Sequence, residues 1–282
     1  MPAEAPLRHV SDTALWVAVY RARESERPDA AFRDPFARRL AGERGERIAA
    51  DMGIDKYSWS MVARTWLFDR IAEEQAAAGC DAVLNLAAGL DTRPYRLKLP
   101  ASLRWIEADL PGMIDYKERG LAGEKPVCRL TRVAVDLADA AARRALFAKV
   151  AAECNKVLVL TEGLLIYLEP AQVAAIADDL SSAGFSRWAL ELNSPGLIER
   201  TKGLVGEKLA AARAPFKFGP PEGPAFFEPH GWRTAEVRSM IKAARRIGRL
   251  SPLFWLLSWL PESNGAQGRA PWSAVCLFEN AR

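Results

Sequence analysis

The stretch "VLNLAAGLDTRPYRL", residues 83–97, decides how the rest of the chain is interpreted. It reads as a short apolar strand that runs into the turn Ala87-Ala88-Gly89 and then into a polar segment with a proline near the start of a helix. In α/β proteins a strand, a turn and a helix in this order form the unit that holds a nucleotide. A pyrophosphate favours the motif GxGxxG, because glycines let the backbone approach closely. This turn has glycine at only one of those three places, which counts against NAD or FAD.

The composition predicts a globular protein with one large domain. The chain has 282 residues, of which 50% are hydrophobic, and this is enough to bury a sizeable core. The net charge of +4 arises from 39 basic and 35 acidic side chains. These charges form no basic tail or stripe, so we expect no nucleic-acid partner.

The cysteines and histidines exclude several classes of site. The four cysteines are residues 80, 128, 154 and 276. They form no CxxC pair and predict reduced thiols in a cytoplasmic protein. His9 and His230 are the only histidines, so we expect no metal site, and a Ser-His-Asp triad has few places to start. The N-terminus lacks the apolar segment of a secretory signal, which also favours a cytoplasmic location.

The longest apolar run near the end of the chain is "PLFWLLSWL", residues 252–260. It is far shorter than the roughly 20 residues that a membrane-spanning helix needs, so we expect no membrane span. We interpret it as a buried helix or part of a pocket wall in preference to a membrane-surface contact.

Short apolar runs alternate with helical stretches from residue 80 onward. The runs are DAVLNLAA (81–88), LRWIEAD (103–109), CRLTRVAVD (128–136), KVLVLTEGLLIYL (156–168) and RWALELN (187–193). Alternation of this kind predicts an α/β fold with a parallel sheet and crossover helices. The chain closes on SAVCLFEN (273–280), a further predicted strand.

The predicted organisation is one domain over residues 1–282, divided into four segments. These are an N-terminal helical region (1–75), a cofactor-binding core (76–193), a cap or substrate insertion (194–250) and a C-terminal helix and strand (251–282). The third segment breaks the strand-helix rhythm and is rich in Pro, Gly and Phe. An aromatic insertion after the fifth strand is typical of a cap over an active site.

Polar residues follow the predicted strands at the sheet edge where open α/β sheets bind ligands. Gly89 follows the first strand, Asp109 the second, Asp136 the third and Glu162 the fourth. Asp109 stands 20 positions after Gly89, the spacing at which an acid grips a ribose diol in this architecture. Asp136 is placed to accept a hydrogen bond from an exocyclic amine such as that of adenine. Together they favour a nucleoside-containing cofactor. S-adenosylmethionine has no phosphate, so a turn with few glycines and several polar groups can serve it.

Several motifs then resemble one family. "VLNLAAGLDTRPYRL", "WIEADLPGMIDYK" (105–117), "VAVDLAD" (133–139) and "LTEGLLIYLEP" (160–170) occur in the order and spacing of the S-adenosylmethionine-dependent leucine carboxyl methyltransferase family. Residues 10–37 and "MVARTWLFD" (61–69) resemble its bacterial branch, which includes polyketide carboxyl methyltransferases of the tetracenomycin type. The resemblance covers residues 10–193 well, with "HGW" (230–232) as a weaker match. It implies a class I methyltransferase fold with a Rossmann-like, mostly parallel sheet and an antiparallel last strand.

The resemblance also implies site residues. Arg64 matches the arginine that holds the methionine carboxylate, and Glu162 matches the acid near the methionine amino group. The remaining matches are the turn Ala87, Ala88 and Gly89, the ribose acid Asp109 with Leu110, and the adenine-binding pair Asp136 and Leu137. The family has Leu-Gly-Ala-Gly at the first turn, whereas this chain has Leu86-Ala87-Ala88-Gly89. Ala87 therefore adds a methyl group where the backbone approaches the ligand.

The predicted acceptor is the carboxylate of a small organic acid. A carboxylate is ionised at neutral pH and needs no general base to attack an activated methyl group. Arginine is the natural clamp for a planar acid. The clamp candidates are Arg21, Arg23, Arg93, Tyr167 and Trp232, and the aromatic cap residues Phe216, Phe218, Phe226 and Phe227 suit an aromatic or polyketide-like acid.

Two alternatives remain open from the sequence. In the first, the acceptor is a phenol or an alcohol. Its hydroxyl must lose a proton to a base, and the shortage of histidine counts mildly against this alternative. The second is a cofactor-binding homologue without catalysis, for which Ala87 would be an early sign. The sequence does not indicate the oligomeric state.

Overall fold

A computed structural model describes residues 10–53, 55–262 and 268–282. Its centre is a seven-stranded sheet in the order β3-β2-β1-β4-β5-β7-β6. The strands are β1 Ala82–Leu86, β2 Arg104–Asp109, β3 Arg129–Ala134, β4 Val157–Thr161, β5 Arg187–Asn193, β6 Trp232–Ser239 and β7 Ser273–Asn280. The first five are parallel, and β7 runs antiparallel to both of its neighbours. The predicted parallel sheet with an antiparallel last strand is thus confirmed.

Ten α-helices surround this sheet in the described part of the chain. They are α1 Thr13–Ser25, α2 Ala37–Met52, α3 Ser58–Ala77, α4 Arg93–Arg96, α5 Pro111–Gly120, α6 Ala140–Glu153, α7 Pro170–Ser182, α8 Pro195–Ala211, α9 Met240–Arg246 and α10 Pro252–Leu257. Pro170 begins α7 and Gly184 follows its end in a left-handed conformation, in agreement with the preferred positions of these residues at helix ends. The predicted N-terminal helical region is present as α1 to α3.

Buried apolar side chains on both faces of the sheet hold the layers together. Leu84 of β1 packs into a core with Phe147 of α6 and Val173 of α7, whereas the adjacent Val83 packs on the opposite face with Phe68 of α3. Successive residues of a strand point to opposite faces, so a central strand that is covered on both sides is apolar throughout. All five residues of β1 are buried accordingly. Packing on both faces therefore supports the carboxyl-terminal ends of the parallel strands.

The segment 194–250, which its composition predicts to be a cap, contains both helices and a strand. Its helix α8 lies over the site, but residues 232–239 form strand β6 of the main sheet. β6 pairs with β7 on one side only, and most of its residues are at least partly exposed. An edge strand of this kind lacks the apolar pattern that marks a buried strand, which is why the sequence did not reveal it.

The interpretation of residues 252–260 as a buried helix or a pocket wall is wrong. They form α10 and the turn that follows it, and no residue of α10 is buried. Among the described residues, no helix is long and apolar enough to span a membrane.

Candidate functional site

A cavity of about 750 Å³ opens at the carboxyl ends of the parallel strands. All nine predicted cofactor residues line it, namely Arg64, Ala87, Ala88, Gly89, Asp109, Leu110, Asp136, Leu137 and Glu162, and so does Asp91. These residues come from four different strand ends and from α3, so the tertiary structure brings together positions that are up to about 100 residues apart in the sequence. The cavity is the place where an open α/β sheet binds its ligand.

The turn after β1 has a left-handed backbone at two positions. Ala87 has φ 51° and Gly89 has φ 46°. Glycine adopts such angles freely, whereas a residue with a Cβ atom does so at a cost of roughly 1–2 kcal/mol. A Cβ added at Gly89 would lie 3.2 Å from Cβ of Ala14, which is tighter than ordinary packing. Gly89 thus meets both a conformational and a steric need, and Ala87 is strained.

Asp109 joins the first turn to the end of β2. Its Oδ2 atom accepts a hydrogen bond from the Gly89 amide at 2.6 Å, and Oδ1 accepts one from the Leu110 amide at 2.7 Å. Burial raises the pKa of the Asp109 carboxyl, against the effect of these two amides. Glu107, two residues earlier, is fully buried and pairs with Lys117 at 2.8 Å. Of these two acids, only Asp109 lines the cavity.

Asp136 and Leu137 lie on the cavity wall next to β3. Asp136 is exposed, and its Oδ1 atom accepts a hydrogen bond from the Ala138 amide at 2.9 Å. The Leu137 carbonyl accepts a hydrogen bond from Arg143, whose guanidinium also pairs with Asp179 of α7. This network holds the loop after β3 in place at the cavity.

Arg64 of α3 lies between two acids. Its Nε atom is 3.0 Å from Glu162 and its Nη1 atom is 2.8 Å from Glu191 of β5. A Cβ added at Gly163 would be 3.7 Å from the Arg64 guanidinium, so the chain passes close to it. Burial acts against ionisation of Glu162, yet the guanidiniums of Arg93 and Arg64 hold the pKa of its carboxyl below the usual value. An arginine beside an ionised glutamate is suited to the zwitterionic end of an amino acid.

The two clamp candidates Arg21 and Arg93 line the cavity but have carboxylate partners. Arg21 pairs with Asp34 at 2.9 Å. Arg93 is 2% exposed, and its guanidinium pairs with Asp69 at 2.7 Å and with Glu162 at 2.8 Å. Both guanidiniums are therefore committed to the protein itself. Arg23, the third arginine candidate, does not line the cavity and forms surface ion pairs with Glu46 and Asp55.

The aromatic candidates divide between the cavity and the core. Tyr167 lines the cavity and packs against Phe216 with ring centroids 5.5 Å apart. Burial raises the pKa of the Tyr167 phenol. Trp232 is 1% exposed, packs against Trp188, and donates its indole N–H to the Ala177 carbonyl at 3.0 Å. The structure thus places Trp232 in the core away from the cavity.

The other phenylalanines of the cap segment also belong to the core. Phe218, Phe226 and Phe227 pack against one another with centroids 5.0–6.2 Å apart. Phe227 also contacts Trp188 of β5. Of the cap aromatics considered from the sequence, only Phe216 faces the cavity.

One face of α8 covers the cavity. Leu197, Arg200, Thr201 and Leu204 line it, and their spacing of three and four residues places them on one side of a helix. Arg213, just after the helix, lines it too and has a left-handed φ of 55°. Arg200 and Arg213 are exposed, and within the described residues their guanidiniums make no hydrogen bond or ion pair. The sequence analysis missed both, because whether an arginine is paired is not visible in a sequence.

The histidine and the cysteines of the described structure do not line the cavity. No cluster of three or more His, Cys, Asp or Glu side chains that would hold a metal ion is present among the described residues. His230 pairs with Asp178 and does not line the cavity, and His9 lies outside the described residues. The four cysteines are free thiols, and three of them are buried.

Comparison with known proteins gives one family and one fold. Residues 14–181 match the family described as leucine carboxyl methyltransferase. A protein from Streptomyces coelicolor, provisionally named an S-adenosyl-L-methionine-dependent methyltransferase, is 34% identical over 255 residues, which cover 84% of this chain and 87% of the relative. One from Parafrankia with the same provisional name is 35% identical over 254 residues, covering 82% and 79%.

Two solved structures share the fold. A DUF574 family protein from Streptomyces avermitilis superposes with a TM-score of 0.63 at 15% identity, covering 98% of both chains. A protein from Thermobifida fusca, provisionally named a methyltransferase, superposes with a TM-score of 0.60 at 14% identity, covering 86% of this chain and 90% of that one. At these identities the likeness concerns the fold alone, and it confirms the fold predicted from the sequence.

Proposed function

This chain belongs to the leucine carboxyl methyltransferase family and is an S-adenosylmethionine-dependent methyltransferase, and from this premise we propose that it methylates the carboxylate of a small, largely apolar organic acid. The family and the class I methyltransferase fold account for the cofactor. What the proposal adds is the chemical class of the acceptor, which we infer from the charges around the cavity.

The cavity residues fit the parts of the cofactor. We assign the ribose hydroxyls to Asp109 and the adenine to Asp136 and Leu137. The backbone of the turn Ala87-Ala88-Gly89 would approach the cofactor closely, beside Leu110. Arg64 would hold the methionine carboxylate through its Nη2 atom, which takes no part in the hydrogen bonds to Glu162 and Glu191. Glu162 would hold the methionine amino group. When bound, the cofactor supplies a methyl group on a positively charged sulfur.

The observation that carries the proposal is the pairing of the arginines around the cavity. Seven arginines line it, and five of them have carboxylate partners, namely Arg21, Arg64, Arg93, Arg96 and Arg143. Arg200 and Arg213 are the two in the described structure that have none. Both lie on the α8 side of the cavity, as do the apolar residues Leu197 and Leu204 of that helix. Two unpaired guanidiniums beside apolar residues fit an acid with a hydrophobic body.

The chemistry needs positioning more than proton transfer. A carboxylate is already ionised at neutral pH, and holding it in line with the methyl group contributes on the order of 7–11 kcal/mol. A phenol acceptor would need a base, and the raised pKa of Tyr167 keeps its hydroxyl neutral. Asp91, Glu162 and Glu191 on the cavity wall are held in ion pairs with arginines. These features support the carboxylate over the hydroxyl.

A labelling experiment tests the acceptor class. The protein is incubated with S-adenosylmethionine carrying a radiolabelled methyl group and a panel of aromatic, polyketide-like and aliphatic acids and matched phenols. We expect label that mild base releases as methanol, which identifies an ester. Base-stable label would identify methylation of a hydroxyl. Tight cofactor binding without label in any product would identify a homologue without catalysis.

We further propose a cytoplasmic location. Cys128, Cys154 and Cys276 are buried free thiols, which suit a reducing compartment.

A further inference from the structure

Residues 253–260 expose an unusual amount of apolar surface. We call the exposed side chains of this segment the apolar patch: Leu253, Trp255, Leu256, Leu257, Trp259 and Leu260, which are 42–65% exposed. Six of the nine large hydrophobic residues that are exposed in the described structure lie in this one segment. Isolated apolar side chains on a surface are ordinary, but a contiguous group marks an interaction site.

The composition of the apolar patch is that of a membrane-interface segment. Tryptophan is enriched at the level of lipid headgroups, where its ring is partly apolar and its N–H remains hydrated. The rings of Trp255 and Trp259 lie 5.8 Å apart, and the leucines flank them on both sides along the chain. A short segment rich in Trp and Leu lies in the interface plane and does not span it.

Two adjacent cations of α9 have no acidic partner among the described residues, and the first of them contacts the apolar patch. Arg245 lies over the Trp259 ring at 4.0 Å and donates to the Ser258 carbonyl. Arg246 is exposed and lies over the Trp66 ring at 5.6 Å. Other cations nearby are neutralised, since Lys242 pairs with Glu262 and Arg249 with Glu24. Arginines that flank an apolar surface are attracted to anionic lipids, each by about 1 kcal/mol.

The apolar patch adjoins the cavity. Phe254 is the least exposed residue of α10. Its ring contacts those of Tyr57 and Trp59, with distances between ring centroids of 6.1 Å and 5.8 Å. Tyr57 and Trp59 both line the cavity and are partly exposed. One layer of aromatic rings therefore separates the exposed helix from the substrate space.

We propose that the apolar patch docks on an anionic membrane surface, with Arg245 and Arg246 facing the lipid phosphates. The wall formed by Tyr57 and Trp59 then lies next to the bilayer, where a lipophilic acid partitions, and this role in substrate supply rests on the proposed function. A second copy of the chain is a poorer occupant. A stable dimer interface involves about 20–30 residues per side, many more than the six of the apolar patch, and a symmetric contact would bring these arginines together.

Vesicle binding tests the proposal. The full chain is sedimented with vesicles of phosphatidylcholine alone and with vesicles that also contain phosphatidylglycerol. We expect binding to the anionic vesicles that weakens as salt is raised, because exposed charges are screened. The variant Trp255→Ser/Leu256→Ser/Trp259→Ser should bind them about tenfold or more weakly, and Arg245→Gln/Arg246→Gln about tenfold more weakly. Val127→Ser, at an exposed valine near β3, should bind like the wild type.

Vesicle binding is measured separately from methyl transfer, so this proposal and the proposed function can fail independently. The substituted patch residues are exposed, so far-ultraviolet circular dichroism should be unchanged. Cofactor binding and the methylation of a water-soluble acid should also be unchanged in the patch variant. Absence of wild-type binding to either vesicle, or equal binding by the patch variant, would overturn the proposal. A wild-type dimer that the patch variant converts to monomer in light scattering would overturn it in favour of a second copy.

Discussion

The amide of Gly89 donates a hydrogen bond to the Asp109 carboxylate at 2.6 Å, and this contact ties the turn after β1 to the end of β2. The two residues are 20 positions apart in the chain. Their contact places an acid beside the turn at the cavity, which is the arrangement expected for gripping a ribose. It also means that the carboxylate is oriented by the protein before any ligand arrives.

Replacing Asp109 should therefore weaken cofactor binding. In Asp109→Ala the ribose loses a charged hydrogen bond worth about 1.5–3 kcal/mol, so we expect the Kd for S-adenosylmethionine to rise about 10- to 100-fold. Isothermal titration calorimetry measures it. Asp115→Asn, at an exposed acid of α5, is the control and should bind as the wild type does. An unchanged Kd in a folded Asp109→Ala protein would place the ribose elsewhere.

Ala87 should be replaceable with a gain in stability. Its φ of 51° is a conformation that glycine adopts without a penalty, so we expect Ala87→Gly to raise the free energy of unfolding by roughly 0.5–1 kcal/mol. Ala88→Gly is the matched control. Ala88 does not have a positive φ, so this change should lower stability by roughly the same amount. Urea unfolding compares the three proteins, and equal destabilisation by both changes would show that Ala87 is not strained.

Arg213 should act on the acceptor and not on the cofactor. In Arg213→Gln we expect KM for the acid to rise about tenfold or more, because a charge-assisted hydrogen bond is lost, while the Kd for S-adenosylmethionine stays the same. Arg213→Lys keeps the charge and should recover part of the affinity. Lys202→Gln, on the exposed side of α8, is the control. If KM is unchanged in both Arg213→Gln and Arg200→Gln, these arginines do not bind the substrate.

Because of Asp91, the free energy of unfolding should depend on pH in the acidic range. Burial alone would raise its pKa, but the charges of Arg93 and Lys117 lower the pKa to about 2. The unfolded chain then binds a proton more readily than the folded one, so the stabilisation is complete above about pH 4 and is lost as the pH falls towards 2. Asp91→Asn should cost about 2 kcal/mol or more at pH 7, and this difference should shrink by about 1 kcal/mol between pH 5 and pH 3.

Urea unfolding at several pH values measures this difference. Asp115→Asn serves again as the exposed control, with a small effect on stability. A constant difference between wild type and Asp91→Asn across the range would show that the ion pair with Arg93 does not lower the pKa of Asp91.

Trp232 should matter for stability and not for catalysis. In Trp232→Phe the hydrogen bond to the Ala177 carbonyl and part of the packing against Trp188 are lost, so we expect a loss of about 1–2 kcal/mol in the free energy of unfolding. KM and kcat should be unchanged within about twofold, since Trp232 does not line the cavity. A rise in KM without a change in stability would show that Trp232 contacts the substrate.

The sequence alone was enough for the central sheet and its ligand edge. Strands β1 and β4 are buried at every residue because helices cover both faces of the sheet, and the apolar sequence that this burial requires is a local pattern that can be read directly. The acids at the strand ends are predictable for the same reason, since a parallel sheet gathers those ends at one edge. β6 was missed because it is a largely exposed edge strand, and the exposed α10 was misjudged because an apolar run does not say what covers it.

The roles of the arginines were decided only by the tertiary structure. Arg21 and Arg93 are neutralised by Asp34 and Asp69, which are 13 and 24 positions away, whereas Arg213 has no acidic partner in the described chain. A sequence shows which residues carry charge, and their spacing shows which strand ends they follow. Whether a charge is free depends on which side chains the fold brings within about 3 Å of it, because ion pairing is a short-range contact between distant parts of the chain.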